Sequence, residues 1–116
     1  MAGKIMLDSL FELLANRRRR YILCRLLDGT GRADRRELAG EIAAWDAAEP
    51  ASAIREEKMK RVFVSLLHHH LPKMEDAGVI EHDANSGVVT LTDATEFEPL
   101  LEAVRDVDEL PTERTE

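Results

Sequence analysis

Between Lys58 and Thr92 the chain reads KMKRVFVSLLHHHLPKMEDAG, then VIEHD, a short Asn85-Ser86-Gly87 turn and VVTLT. No other stretch limits the fold as tightly. Met59, Val62, Phe63, Leu66, Leu67, His70, Leu71, Met74 and Ala77 recur at steps of three and four residues, the spacing that gathers side chains onto one face of an α-helix. The other face is polar, with Lys58, Arg61, Ser65, His68, His69 and Lys73. Gly78 ends the helix, because the left-handed position that closes a helix carries no Cβ penalty in glycine. Pro72 lies inside it and removes one backbone bond, so a kink is expected there. The two apolar runs around the turn predict a hairpin of strands over 79–83 and 88–92, with Gly87 suited to a positive φ.

Upstream, Leu7, Leu10, Phe11 and Leu14 mark a short first helix. Asn16 is a good N-cap for a second, with Ile22, Leu23, Leu26 and Leu27 as its buried face and Gly29 and Gly31 ending it. Asp34 caps a third, with Glu37 at the capping-box position and Leu38, Ile42 and Trp45 inward. Asp46 to Ser52 reads as a loop, and the long helix begins near Ile54 to Glu56 with Glu56 and Glu57 in its first turn, as the helix dipole favours. Thr95 and Glu98 start a last helix, with Phe97, Leu100, Leu101 and Val104 in a stripe. The order helix, helix, helix, helix, hairpin, helix defines an α+β, mainly helical fold. It is that of a winged helix-turn-helix with a short β-hairpin wing and additional terminal helices. The domain is expected over residues 5–105, and residues 106–116 form an acidic tail expected to be disordered.

At 116 residues the chain is long enough for one core and short for an elaborate catalytic scaffold. Its single cysteine, Cys24, excludes an internal disulfide and reads as a small core residue. There is no Gly-rich phosphate loop, nucleophile elbow or paired His with Glu at metal-ligand spacing, so neither an enzyme nor a cofactor is expected. No apolar run approaches the ~20 residues that span a bilayer, and the apolar region at the start is too short for a secretory signal, which predicts a cytoplasmic protein with no membrane partner.

A net charge of -7 is unexpected for a partner of nucleic acid, but it is unevenly divided. Residues 16–73 hold 13 Lys and Arg against 8 Asp and Glu, whereas residues 74–116 hold 2 against 13. Such asymmetry hints at one basic face on an otherwise acidic molecule. Arginine outnumbers lysine 12 to 4 among abundant acids and alanine, a composition that resembles proteins from organisms with molar salt in the cytoplasm. There the Debye length is about 3 Å, and specific contacts must replace long-range steering.

The helix that precedes the hairpin supplies the candidates for double-stranded DNA. Lys58, Arg61, Ser65, His68 and His69 share one broad side, which is either an ordinary solvated face or a major-groove reader with Arg61 placed for bidentate guanine contact. Arg55 and Lys60 are expected to hold the phosphate backbone. The densest basic cluster is Arg17, Arg18, Arg19 and Arg20, which opposes the macrodipole in the first turn of its helix. It is explained either by ion pairing within the chain or by contact with phosphate or an acidic protein partner. His68, His69 and His70 point about 100° apart and cannot converge on one metal ion, and nothing in the spacing brings His82 near. His70 is expected at the core boundary, Trp45 at the core edge.

The segments LFELLANRRRRYILCRLL, AAWD, KMKRVFVSLLHHHLPKMEDAGVIEHD and VVTLTD resemble a large family of uncharacterised haloarchaeal winged helix-turn-helix proteins, over roughly residues 7–104. More distantly, SLLHHHLPKMEDAGVI is similar to the recognition helix and following strand of arsenical-repressor-type transcription regulators. The resemblance implies a transcriptional regulator, a homodimer that carries Arg61, Ser65 and His69 into the DNA groove. The chain departs from that pattern at the wing tip, Asp83 to Gly87, which has no Lys or Arg. It also lacks the arsenical-repressor metal cysteines, so metal sensing does not carry over. Two readings therefore stand: a small DNA-binding transcription regulator, and a winged-helix module that docks an acidic partner through Arg17–Arg20.

Overall fold

A computed structural model describes residues 7–92 and 98–108. Six α-helices and three short strands follow in the order α1 Leu7–Leu14, α2 Arg17–Asp28, β1 Arg32–Asp34, α3 Arg35–Ala47, α4 Glu56–Ser65, α5 Leu71–Asp76, β2 Ile80–His82, β3 Val88–Leu91 and α6 Glu98–Asp108. The architecture is α+β and mainly helical, as the order of segments predicts. None of the described helices is long and apolar enough to cross a membrane.

The centre is α2. Asn16 starts it by accepting from the amides of Arg18 and Arg19, and Tyr21, Ile22, Leu23, Cys24 and Leu26 are buried along it. Around it close Leu10 and Leu13 of α1, Leu38, Ile42 and Ala43 of α3, Val89 of β3 and Leu101 of α6. Asp34 caps α3 from the amides of Arg36 and Glu37, as its position in the sequence predicts. That helix runs on to Ala47, two residues into the expected loop, and a 3-10 turn at Ala51–Ala53 then redirects the chain.

The sheet has the order β1-β3-β2 and is antiparallel throughout. The hairpin β2–β3 pairs Ile80 with Leu91 and His82 with Val89, close to the expected bounds. β1 is new to the structure: Ala33 pairs with Val89, so a third strand covers the other edge of β3. Gly31, at φ 87°, makes the turn that brings β1 into place, and its carbonyl accepts from Leu91.

The long helix predicted over residues 56–77 is interrupted in a specific way. α4 and α5 are joined by a π-helical turn, Leu66–His70, in which the Leu71 amide donates to the Leu66 carbonyl five residues back. Pro72 follows one residue beyond it, in the first turn of α5, and has no amide to give. The expected kink thus takes the form of a wider turn, one of the identified causes of an irregular helix. Val62, Leu66, His70, Leu71 and Met74 face the core, whereas Met59, expected inward, is 36% exposed and Phe63, Leu67 and Ala77 are only half-buried. The helix ends at Gly78, φ 84°, where the Val79 amide donates to Met74 and the Gly78 amide to Glu75, the paired bonds of a Schellman closure.

At the C-terminal end α6 continues to Asp108, three residues into the segment expected to be a tail. Leu101 is buried, while Leu100, expected in the same stripe, is exposed. Thr95 and Phe97, the side chain of Val104 and residues 109–116 lie outside the described residues.

Candidate nucleic-acid interface

The four arginines that open α2 all have partners inside the chain. Arg17 reaches Asp46 at 2.7 Å and lies 3.9 Å above the Trp45 ring, and Arg18 donates to the same carboxylate at 2.9 Å. Arg20 donates to the Leu14 carbonyl. Arg19 is buried and donates to the carbonyls of Leu13 at 2.9 Å and Glu12 at 2.8 Å at the end of α1, where the Glu12 carbonyl also accepts from the Ala15 amide. Its third contact is His70, whose Nδ1 accepts at 3.3 Å. Burial, with the neighbouring His69 and the cations Arg19 and Arg18, pushes the His70 pKa down to about 4. The cluster serves mainly to fasten α1 and α3 to α2, with about half of the Arg17 side chain left on the surface.

The seven candidates on and before α4 do not form one uniform face. Arg55, Lys58 and Arg61 line a concavity of about 340 Å³ beside the end of α3, with Glu49, Ile54 and Glu57. Lys60 lines a second one of about 470 Å³ between α3 and α4, whose floor is apolar: Ala39, Met59, Phe63 and Val64. His69 looks elsewhere, into a cleft against α1 with Ser9, Glu12 and Lys73, and lies edge-on to His70 at 4.8 Å between ring centroids. Ser65 is half-buried; His68 is exposed. Lys60, Arg61 and His68 therefore present the polar side of the helix, and Arg55, at its N-terminus, is 3.7 Å from Glu57.

Two further arginines join this side that residue spacing did not single out. Arg36, in the first turn of α3, holds its guanidinium 4.7 Å over the Phe63 ring, with Arg35 at 6.0 Å on the same ring. Arg35 also ties α3 to the hairpin: its amide donates to the Gly87 carbonyl at 2.9 Å and its guanidinium to His82 Nε2 at 2.9 Å. A signal was present, since two cations in the first turn of a helix oppose the macrodipole just as Arg17–Arg20 do. The hairpin tip itself is acidic. Asp83 folds it by accepting from the amides of Asn85 and Ser86, and those two amides hold its carboxyl below the usual carboxylate range.

Among the described residues no three His, Cys, Asp or Glu side chains are grouped to hold a metal ion. His70 turns inward to Arg19 and His82 to Arg35, while His69 lines the cleft against α1 and His68 is exposed.

Comparison with the curated proteins and with the solved structures finds no match to this chain. A family profile described as a domain of unknown function, DUF7344, matches residues 11–90, from α1 through β3. The chain belongs to the DUF7344 family.

Proposed function

We propose that this protein is a small DNA-binding transcription regulator of the winged helix-turn-helix type, which reads the major groove with α4 as a homodimer. The observation that carries the reading is the setting of α4. It follows α3 through a connection that holds a 3-10 turn, longer than the tight turn of a minimal helix-turn-helix, and leads through the π turn and α5 into a two-stranded hairpin, with Lys60 and Arg61 exposed on it, His68 exposed on the π turn, and Arg35 and Arg36 beside them. A helix so placed, flanked by an arm of sheet, fits the groove as recognition helices do. Arg61 is the candidate for a bidentate contact to guanine, and Arg55, Lys58 and Lys60 suit the phosphates on either side. The bare hairpin tip is offset by Arg35 at its base.

The alternative, docking of an acidic protein through Arg17–Arg20, draws support from the acidic balance of the chain. It has to compete with Asp46, with the α1 carbonyls and with His70 for the same guanidinium groups. The DNA reading rests first on Lys60 and Arg61, which are exposed on α4.

The test is binding of the purified protein to its own upstream DNA against a scrambled duplex, from low to molar KCl, with Arg61→Ala alongside. Selective binding that persists at high salt and falls by about fivefold or more in the variant is expected, since a bidentate base contact is worth about 1–3 kcal/mol. Equal binding of both duplexes, lost with salt, would reduce the interaction to phosphate attraction and reject sequence readout.

A further inference from the structure

Resting on the DNA reading above, we propose that Val64 is a specificity-determining residue that reads the 5-methyl group of a thymine in the major groove. Val64 is 47% exposed on α4, a large apolar side chain left half in water. A β-branched side chain loses rotamer freedom in a helix, and at this exposure burial within the chain repays only part of that loss. One turn away on either side stand Lys60 and Arg61 before it and His68 after it, the neighbours that three- and four-residue spacing brings alongside. A cation-flanked apolar side chain is a poor anchor for an apolar protein surface, which would have to desolvate those cations. A duplex supplies phosphates for the cations and, along its base edges in the major groove, one apolar group: the thymine methyl.

The surroundings fit this partner. Val64 lines the groove of about 470 Å³ between α3 and α4, together with Met59, Phe63 and Arg36. Arg36 is already drawn over Phe63, which leaves its cationic edge available to a phosphate while the ring backs the apolar strip. Arg61 and Val64 are three residues apart, so a guanine and a neighbouring thymine can be read by the same face of α4.

The experiment uses the full chain and a duplex that it selects from a random-sequence library. Each thymine is then replaced singly by deoxyuridine, which keeps every hydrogen-bonding group and removes only the methyl. At one or two positions the wild type is expected to lose about fourfold in affinity, the weight of one buried methyl group. Val64→Ala should bind the thymine duplex about fourfold or more weakly and no longer distinguish it from the uracil duplex. Its exposed site makes it a folded control, checked by circular dichroism. Selected duplexes that bind equally with uracil at every position, or a variant that still discriminates, would overturn the assignment of Val64 while DNA binding stands, and would leave the groove to a protein partner. Failure to select any duplex over the random pool rejects the DNA reading and this inference with it.

Discussion

Arg19 and His70 meet in the interior, and only one of them is charged. Arg19 keeps its charge because the α1 carbonyls of Leu13 and Glu12 surround it, whereas His70 must stay neutral to accept at Nδ1. Its pKa is about 4 in the fold, against 6.5 when exposed. A group depressed in this way binds fewer protons folded than unfolded between those two values. Its contribution is therefore complete above about pH 6.5 and is lost as pH falls towards 4, on the order of 3 kcal/mol in all. His70→Gln keeps an acceptor for Arg19 and does not titrate. Urea unfolding at pH 7, 5.5 and 4 should show the wild type losing this much more stability than the variant, and parallel curves would mean that His70 is already accessible to protons in the fold. The sequence made the cluster Arg17–Arg20 conspicuous and suggested His70 at the core boundary. It could not join them, because a helical projection gives the direction of a side chain and not what another element brings to meet it. The same limit hid the destination of Arg36, whose ring partner Phe63 lies well over twenty residues away.

At the scale of the element, the π turn shows two features of sequence acting together. The buried residues Val62, Leu66, His70 and Met74 recur every four positions, and in a regular α-helix each such step drifts by about 40° around the axis. A wider turn takes up that drift and keeps all four on the core side. Pro72, which cannot donate and would crowd the carbonyl four residues back, sits where the widened turn ends. Because packing and proline favour the same local structure, Pro72→Ala should raise stability by less than about 1 kcal/mol, far short of the ~3 kcal/mol that a proline costs inside a regular helix. Thermal and urea unfolding measure the difference. A gain near the full value would show that the proline alone strains an otherwise regular helix. The kink could be anticipated from Pro72, but its form depended on which residues were truly buried, and Met59 and Phe63 misled by sharing the helical period while facing the α3–α4 groove. β1 had no signal of its own: Arg32-Ala33-Asp34 has a single apolar residue, and it becomes a strand because β3 offers it an edge.

Over the whole molecule, the basic middle of the sequence does not become a basic half of the surface. Arg17 and Arg18 are spent on Asp46 and Arg25 on Glu41, while the C-terminal Arg105 holds Asp28 and so fastens α6 to the end of α2. Lys60 and Arg61 stay exposed on α4, with Arg36 beside them over the Phe63 ring, a smaller patch than the count by segment suggests. On the proposed DNA reading, one such patch would cover one half-site, and a second α4 about 34 Å away would require a second chain. The terminal helices are where the proposed dimer would close. α1 leaves Phe11 54% exposed and α6 leaves Leu100 37% exposed, on helices that lie outside the α3–α4 groove and the hairpin. A second copy of this chain that covered them would remove large apolar side chains from water without using α4. Phe11→Glu would place a charge in that contact. Sedimentation equilibrium should give the mass of two chains for the wild type and of one for the variant. The monomeric variant should keep its circular dichroism spectrum, because Phe11 is not part of the core, and should lose at least tenfold in affinity for a two-half-site duplex as the second α4 is lost. A wild type that sediments as one chain, or a variant that remains paired, would remove the terminal helices as the dimer contact and leave a single α4 to account for all of the binding.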